Sequence, residues 1–145
     1  MRVHVHCLEH PLVESVNGPG RCRIRGPGPT VMALTGDLDA PAIPEFEARV
    51  DAAIDEAGRT LIIDLTRVGF VSISGVQALV AAQHHADRGG VALLLATDSW
   101  STHRAMEAGG MAGWFRCFPT VRQAVENRRA ELSAHVDLDV VVGLS

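Results

Sequence analysis

Short apolar runs separated by longer segments of mixed polarity run along the chain from residue 30 onward. The runs at residues 31–34, 60–65 and 91–96 are long enough for single strands, and residues 115–118 are long enough for a short one. In the second and third runs, successive residues are apolar on both faces, which is typical of a central strand covered on both sides. We therefore expect residues 61–65 and 91–96 to be the most buried part of a sheet.

The segments between these runs carry apolar residues at helical spacing and predict four helices. In the first, Ile43, Phe46, Val50 and Ile54 form one stripe, and charged residues occupy the other positions. The second begins near residues 72–74 and ends at the glycine pair 89–90. The third covers about residues 101–108, and the last begins at Thr120. Strands that alternate with helices in this order predict an α/β fold with a mostly parallel sheet.

The N-terminal thirty residues are less regular. Residues 3–8 predict a short strand, residues 17–20 and 26–29 predict turns, and residues 21–25 predict an edge strand. We expect an N-terminal extension at residues 1–20, one domain at 21–132 and a C-terminal tail at 133–145. The 145-residue length is that of a single domain of ordinary size.

Composition and charge exclude several classes of protein. The net charge of −4, from 13 basic and 17 acidic residues, argues against nucleic-acid binding through a basic surface. No apolar run reaches the roughly 18 residues of a membrane span, and the N-terminus has no apolar signal segment. Three scattered cysteines favour a reducing compartment, so we expect a cytoplasmic protein. They are Cys7, Cys22 and Cys117.

The chain lacks the motifs of common enzyme classes. It has no glycine-rich phosphate-binding loop and no lysine, so we expect no nucleotide cofactor. Neither Ser72 nor Ser74 lies in a Gly-x-Ser-x-Gly turn, which leaves a small serine hydrolase as a remote alternative. His4, His6 and His10 lack metal-ligand spacing, so no metal is expected. The residues favour a non-enzymatic module that binds another protein.

Three segments, taken in order, resemble the STAS domain family of sulfate transporters and anti-sigma-factor antagonists. They are the turn Gly36-Asp37-Leu38-Asp39, residues 61–79, and the stretch formed by residues 106–111, Phe115 and residues 120–124. The resemblance covers roughly residues 21–130. It implies an α/β fold with a mixed sheet of four to five strands and about four helices, largely on one face.

The resemblance also implies a function. Stand-alone members are mostly bacterial regulators that bind an anti-sigma factor, which is itself an ATP-using kinase and phosphorylates a serine at the head of the second helix. The usual Asp-Ser-Ser-Gly pattern falls here on Ser72, Ile73, Ser74 and Gly75. Isoleucine has no hydroxyl, so we expect partner binding without the usual phosphorylation switch. The alternative is a subunit of a larger assembly, either a signalling complex or a lipid-transport ATPase.

The resemblance assigns a partner-binding and switch region to eight positions. They are Asp37, Asp39, Val71, Ser72, Ile73, Ser74, Gly75 and Val76. If the phosphoacceptor has moved, Ser72 or Ser74 is the candidate. Ile73 should point outward if it occupies the acceptor position, and it would then form an apolar patch beside Val71 and Val76.

Simpler structural roles are open for the same residues. Ser72 and Ser74 can cap the second helix, and residues 74–77 fit a capping box. Asp37 and Asp39 can cap the first helix or form a turn. Of Trp100 and Trp114, we expect one in the core and the other free to anchor a protein contact. The His84–His85 pair is expected near a solvated face.

Overall fold

The computed structural model describes residues 1–7, 28–111 and 113–143. The predicted turn at 17–20 and edge strand at 21–25 lie outside the described residues, as do residues 26 and 27 of the turn at 26–29. Within the described ranges, five strands and four α-helices follow one another. They are β1 (Arg2–Cys7), β2 (Thr30–Leu38), α1 (Ile43–Glu56), β3 (Thr60–Val71), α2 (Ile73–Arg88), β4 (Ala92–Ala96), α3 (Trp100–Ala108), β5 (Arg116–Phe118) and α4 (Val121–Gly143).

The strands form one sheet in the order in which they occur in the sequence. β1 pairs with β2 antiparallel, and the pairs β2–β3, β3–β4 and β4–β5 are parallel. Each parallel pair is joined through a helix, which gives the sheet its covering layers. The predicted α/β fold with a mixed sheet of four to five strands and four helices is confirmed.

Helices cover both faces of the sheet unequally. α1, α2 and α3 pack on one face, where Phe46, Leu79 and Met106 join the main core. α4 packs on the other face, where Ala124 meets Ile62 and Leu94. The central strands β3 and β4 are therefore buried from both sides. Their predicted burial is confirmed, because residues 61–63 and 94–96 are fully buried.

Two strands extend beyond their predicted ends. β2 continues through Gly36, where a turn was expected, and β3 continues to Val71, where a loop was expected. The extensions pair with each other as Asp37 opposite Phe70 and Leu38 opposite Val71, with register shifts on the way. Inter-strand hydrogen bonds therefore override the local turn signal. Gly36 has φ +97°, a conformation that favours glycine.

The first and last elements of the described chain are a strand and a long helix. β1 begins at Arg2 and reaches Cys7, which pairs with Thr30. The backbone of α4 remains helical to Gly143, beyond the point at which a tail was predicted. The division at residues 20 and 132 stays a prediction. Among the described residues, no helix is long and apolar enough to cross a membrane.

Candidate partner-binding surface

The head of α2 is fixed to the end of β2 by Ser72. The backbone N–H of Ser72 donates to the carbonyl oxygen of Leu38 at 2.9 Å. Its side-chain Oγ accepts from the N–H of Gly75 at 3.0 Å and donates to the same Leu38 oxygen at 3.3 Å. Ser72 is thus the N-cap of α2, which confirms one of the two expected roles of this residue.

The predicted capping box starting at Ser74 is wrong. The helix begins at Ile73, because Ser72 retains the extended backbone of the preceding strand. Ser74 therefore lies inside the first turn and is exposed to solvent. One of the two serines holds the helix in place, and the other presents its side chain to solvent.

Gly75 is required for the close approach of α2 to β2. A Cβ atom at this position would lie 2.5 Å from the carbonyl oxygen of Leu38, closer than real Cβ contacts allow. Gly75 is buried. Its place in the predicted switch region therefore has a packing reason that is independent of any partner.

Ile73 is exposed, and its two expected apolar neighbours are not. The side chain of Ile73 is 61% exposed, whereas Val71 and Val76 are 2% and 1% exposed. The outward orientation expected for the acceptor position is therefore confirmed for Ile73. The patch expected from Val71 and Val76 is wrong, because both side chains point into the core between α2 and the sheet.

The two aspartates before α1 do not cap that helix. Asp39 precedes a single 3-10 turn, Ala40–Ala42, and its side chain makes no capping hydrogen bond. α1 itself starts after this turn, with Ala42 at the N-cap position. The capping role expected for Asp39 is therefore wrong. Asp37 is an exposed residue of β2 opposite Phe70, which is itself 53% exposed.

An apolar groove runs beside α2, on the side that faces the segment after α3. It has a volume of about 150 Å³ and begins at Ile73. Among the described residues, its lining carries no charged side chain and consists of Ile73, Val76, Gln77, Val80, Gly109 and Met111. The sequence did not indicate this groove, because Gly109 and Met111 come from a distant segment. Its signal in the sequence is the apolar residue Val80 within the α2 segment.

Both tryptophans lie on the surface, so the expectation that one of them fills the core is wrong. Trp100 is 71% exposed and Trp114 is 50% exposed. Met106 of α3 and Phe115, which follows Trp114 in sequence, fill the core instead. The ring of Trp114 lies 5.6 Å from that of His84 on α2.

A second groove lies on the opposite side of α2, against α1. It has a volume of about 200 Å³ and includes Glu47 and Asp51 from α1 and Arg88 from α2. At its edge, the two ring nitrogens of His85 lie 3.4 Å from Asp51 and 3.2 Å from Asp55. α2 is therefore a ridge between an apolar groove and a groove whose α1 wall is acidic.

The N-terminal histidines are part of β1. Burial lowers the pKa of His6 below its ordinary value of 6.5, and His4 acts in the same direction, while the carboxylate of Asp64 opposes both. Asp64 accepts hydrogen bonds from the backbone N–H and the hydroxyl of Thr66. In the part of the chain that the structure describes, no three potential ligands are grouped to hold a metal ion.

The structure describes one of the three cysteine side chains, that of Cys117. Cys117 is a free, half-buried cysteine, and burial raises the pKa of its thiol, which keeps it in the less reactive protonated form. Cys22 and His10 lie outside the described residues.

The protein is a small α/β domain with a five-stranded mixed sheet and three helices on one face. At its surface, the head of α2 is capped by a serine and lies next to the end of β2. The chain belongs to the STAS domain family, whose profile matches residues 23–124. A comparison of the sequence with curated proteins gives no significant match.

Solved structures share this fold at low sequence identity. An anti-sigma factor antagonist from Mycobacterium paratuberculosis is 20% identical, with a TM-score of 0.67, and the match covers 88% of this chain and 95% of that one. The anti-sigma factor antagonist SpoIIAA in its unphosphorylated form is 22% identical, with a TM-score of 0.61 and coverage of 76% and 94%. The murine anion transporter Slc26a9 is 19% identical, with a TM-score of 0.64, over 88% of this chain and 22% of the transporter.

Proposed function

We propose that this protein is a cytoplasmic, non-enzymatic antagonist that binds an anti-sigma factor of the ATP-using kinase type through the head of α2. Membership of the STAS family and a fold shared with anti-sigma factor antagonists support this proposal. The observation that carries it is Ile73, a large apolar side chain that is 61% exposed. It lies at the head of a helix that Ser72 caps and connects to the end of β2.

Ile73 also explains why phosphorylation at position 73 would not regulate the proposed antagonist. In the family pattern, the acceptor hydroxyl occupies this position, and phosphorylation would add about −2 of charge to a contact surface. Ile73 carries no hydroxyl and adds apolar area to the contact instead. The protein would therefore act constitutively, with its effect set by its amount or by another input.

The test is direct binding to the anti-sigma factors of kinase type from the same organism, each purified and titrated by calorimetry. Ile73→Glu should weaken the complex at least tenfold, about 1.4 kcal/mol. Gln123→Glu is the matched control, because it introduces the same carboxylate at an exposed position on α4, on the other face of the sheet. If no such factor binds, or if both variants bind as the wild type does, the proposal is wrong.

A further inference from the structure

The outward surface of α2 carries no arginine, aspartate or glutamate between residues 73 and 86. Ile73, Gln77, Val80 and His84 follow one another at spacings of four, three and four residues, so they lie on one stripe of the helix. The remaining exposed positions in this stretch are Ser74 and Ala81. Depletion of charge is the compositional mark of the central part of a protein interface.

The apolar groove beside this stripe is suited to one anchoring side chain. Its volume of about 150 Å³ is enough for a residue of the size of leucine, and Val80 and Met111 contribute apolar walls. Binding energy in interfaces concentrates where one large side chain fills such a pocket. The groove therefore favours a partner that projects a large apolar residue toward α2.

The other side of the ridge has the opposite character. α1 carries five carboxylates and a single arginine, Arg49, between Ile43 and Glu56. Two of these carboxylates, Glu47 and Asp51, line the groove between α1 and α2, together with His85 and Arg88. A partner that crosses α2 would meet an excess of negative charge on this side.

We propose that one amphipathic helix with basic flanks crosses α2, with an apolar side chain in the Ile73–Met111 groove and basic side chains over α1. A helix is about 10 Å wide, so a partner helix of about 15 residues, roughly 22 Å long, can reach both grooves at once. The proposal deepens the proposed function, since it names the element of the partner that α2 would receive.

The test uses three synthetic 18-residue peptides as probes. One places leucines on one face and lysines elsewhere, the second replaces every lysine with glutamate, and the third has the first peptide's composition in scrambled order. Binding is followed by the fluorescence of Trp114 in a Trp100→Phe background and by calorimetry. The ordered leucine–lysine helix should bind at least tenfold more tightly than either of the other two.

Variants distinguish insertion of a peptide leucine into the apolar groove from a general attraction of a basic peptide to an acidic protein. Val80→Glu should weaken the leucine–lysine helix at least tenfold, although its added negative charge alone would strengthen the attraction. Met111→Glu should weaken binding to the same extent. It serves as a second groove variant in case circular dichroism shows that Val80→Glu is not folded. The double variant Glu47→Lys and Asp51→Lys should reverse the preference toward the leucine–glutamate helix. Gln123→Glu should change nothing.

Several results would overturn the inference. It is wrong if the ordered and scrambled peptides bind equally, or if a folded groove variant binds the leucine–lysine helix as the wild type does. It is also wrong if the double variant still prefers the leucine–lysine helix. A dimer in sedimentation experiments that Val80→Glu dissociates would show that a second copy occupies the groove instead. If the leucine–lysine helix binds as described while anti-sigma factors do not, only the proposed function fails; the reverse result rejects only this inference.

Discussion

Two serines that are separated by one residue have different environments at the head of α2. The hydroxyl of Ser72 accepts a hydrogen bond from the N–H of Gly75 in α2 and donates one to the carbonyl oxygen of Leu38 at the end of β2. Ser74 is one residue further into the first turn and exposed. A kinase that modified Ser72 would have to break the cap, whereas Ser74 is accessible without any rearrangement. If the acceptor has moved, Ser74 is the better candidate.

We predict that Ser72→Ala lowers the free energy of unfolding by about 1 kcal/mol, within the usual range of 0.5–2 for a lost N-cap. Ser74→Ala is the matched control and should change it by a few tenths at most, because alanine is tolerated well inside a helix. Urea unfolding followed by circular dichroism measures both. Equal effects of the two substitutions would contradict the assignment of the cap.

His6 makes stability depend on pH in a defined direction. Because its pKa is lowered on folding, the unfolded chain binds a proton more readily than the folded one. This contribution to stability is therefore complete above pH 6.5 and is lost as the pH falls toward the folded pKa. We predict that His6→Gln reduces the loss of stability between pH 7.5 and pH 5, measured as the difference in urea midpoint. A steeper loss in the variant would contradict the burial of this ring.

At the scale of elements, the strand β3 organises the molecule. It pairs with β2 and β4, contributes Ile63 and Leu65 to the face covered by α1–α3, and contributes Ile62 to the face covered by α4. Its end leads directly into the cap of α2. Any disruption of β3 therefore reaches both core layers and the proposed binding surface.

We predict that Ile63→Asp unfolds the domain. Ile63 is fully buried, and an unpaired buried carboxylate costs about 3 kcal/mol or more, a large part of the total stability of a small domain. Arg67→Asp is the control, since it places the same side chain at an exposed position of the same strand. Thermal melting should show a cooperative transition for the control and none for Ile63→Asp. A melting temperature unchanged by Ile63→Asp would refute the strand assignment.

At the scale of the whole molecule, the proposed antagonist differs from a phosphorylation-controlled one in its response to ATP. We predict that a complex with an anti-sigma factor kinase survives incubation with ATP and magnesium, because position 73 cannot accept phosphate. Size-exclusion chromatography before and after incubation, with mass spectrometry of the chain, measures this. Loss of the complex together with phosphate on Ser74 or Ser72 would show a displaced acceptor and end the constitutive interpretation.

Much of the architecture followed from local pattern. The apolar runs at residues 60–65 and 91–96 indicated strands covered on both faces, because apolarity at successive positions has no other stable arrangement in a short strand. The apolar stripe of α1 and the capping serine of α2 could also be predicted from the sequence. The lengths of β2 and β3 were not, since residues 66–70 are mixed in polarity and become a strand only when their backbones find partners in β2.

By itself, the sequence determined the α/β class, the central strands and the family. These depend on the order and chemistry of neighbouring residues. Only the tertiary structure decided which side chains around α2 reach the surface: it buried Val71 and Val76, exposed Trp114, and brought Met111 beside Val80. The reason is that exposure depends on what packs against a residue, and at the head of α2 the packing comes from segments more than thirty residues away, as in the Ser72–Leu38 hydrogen bond.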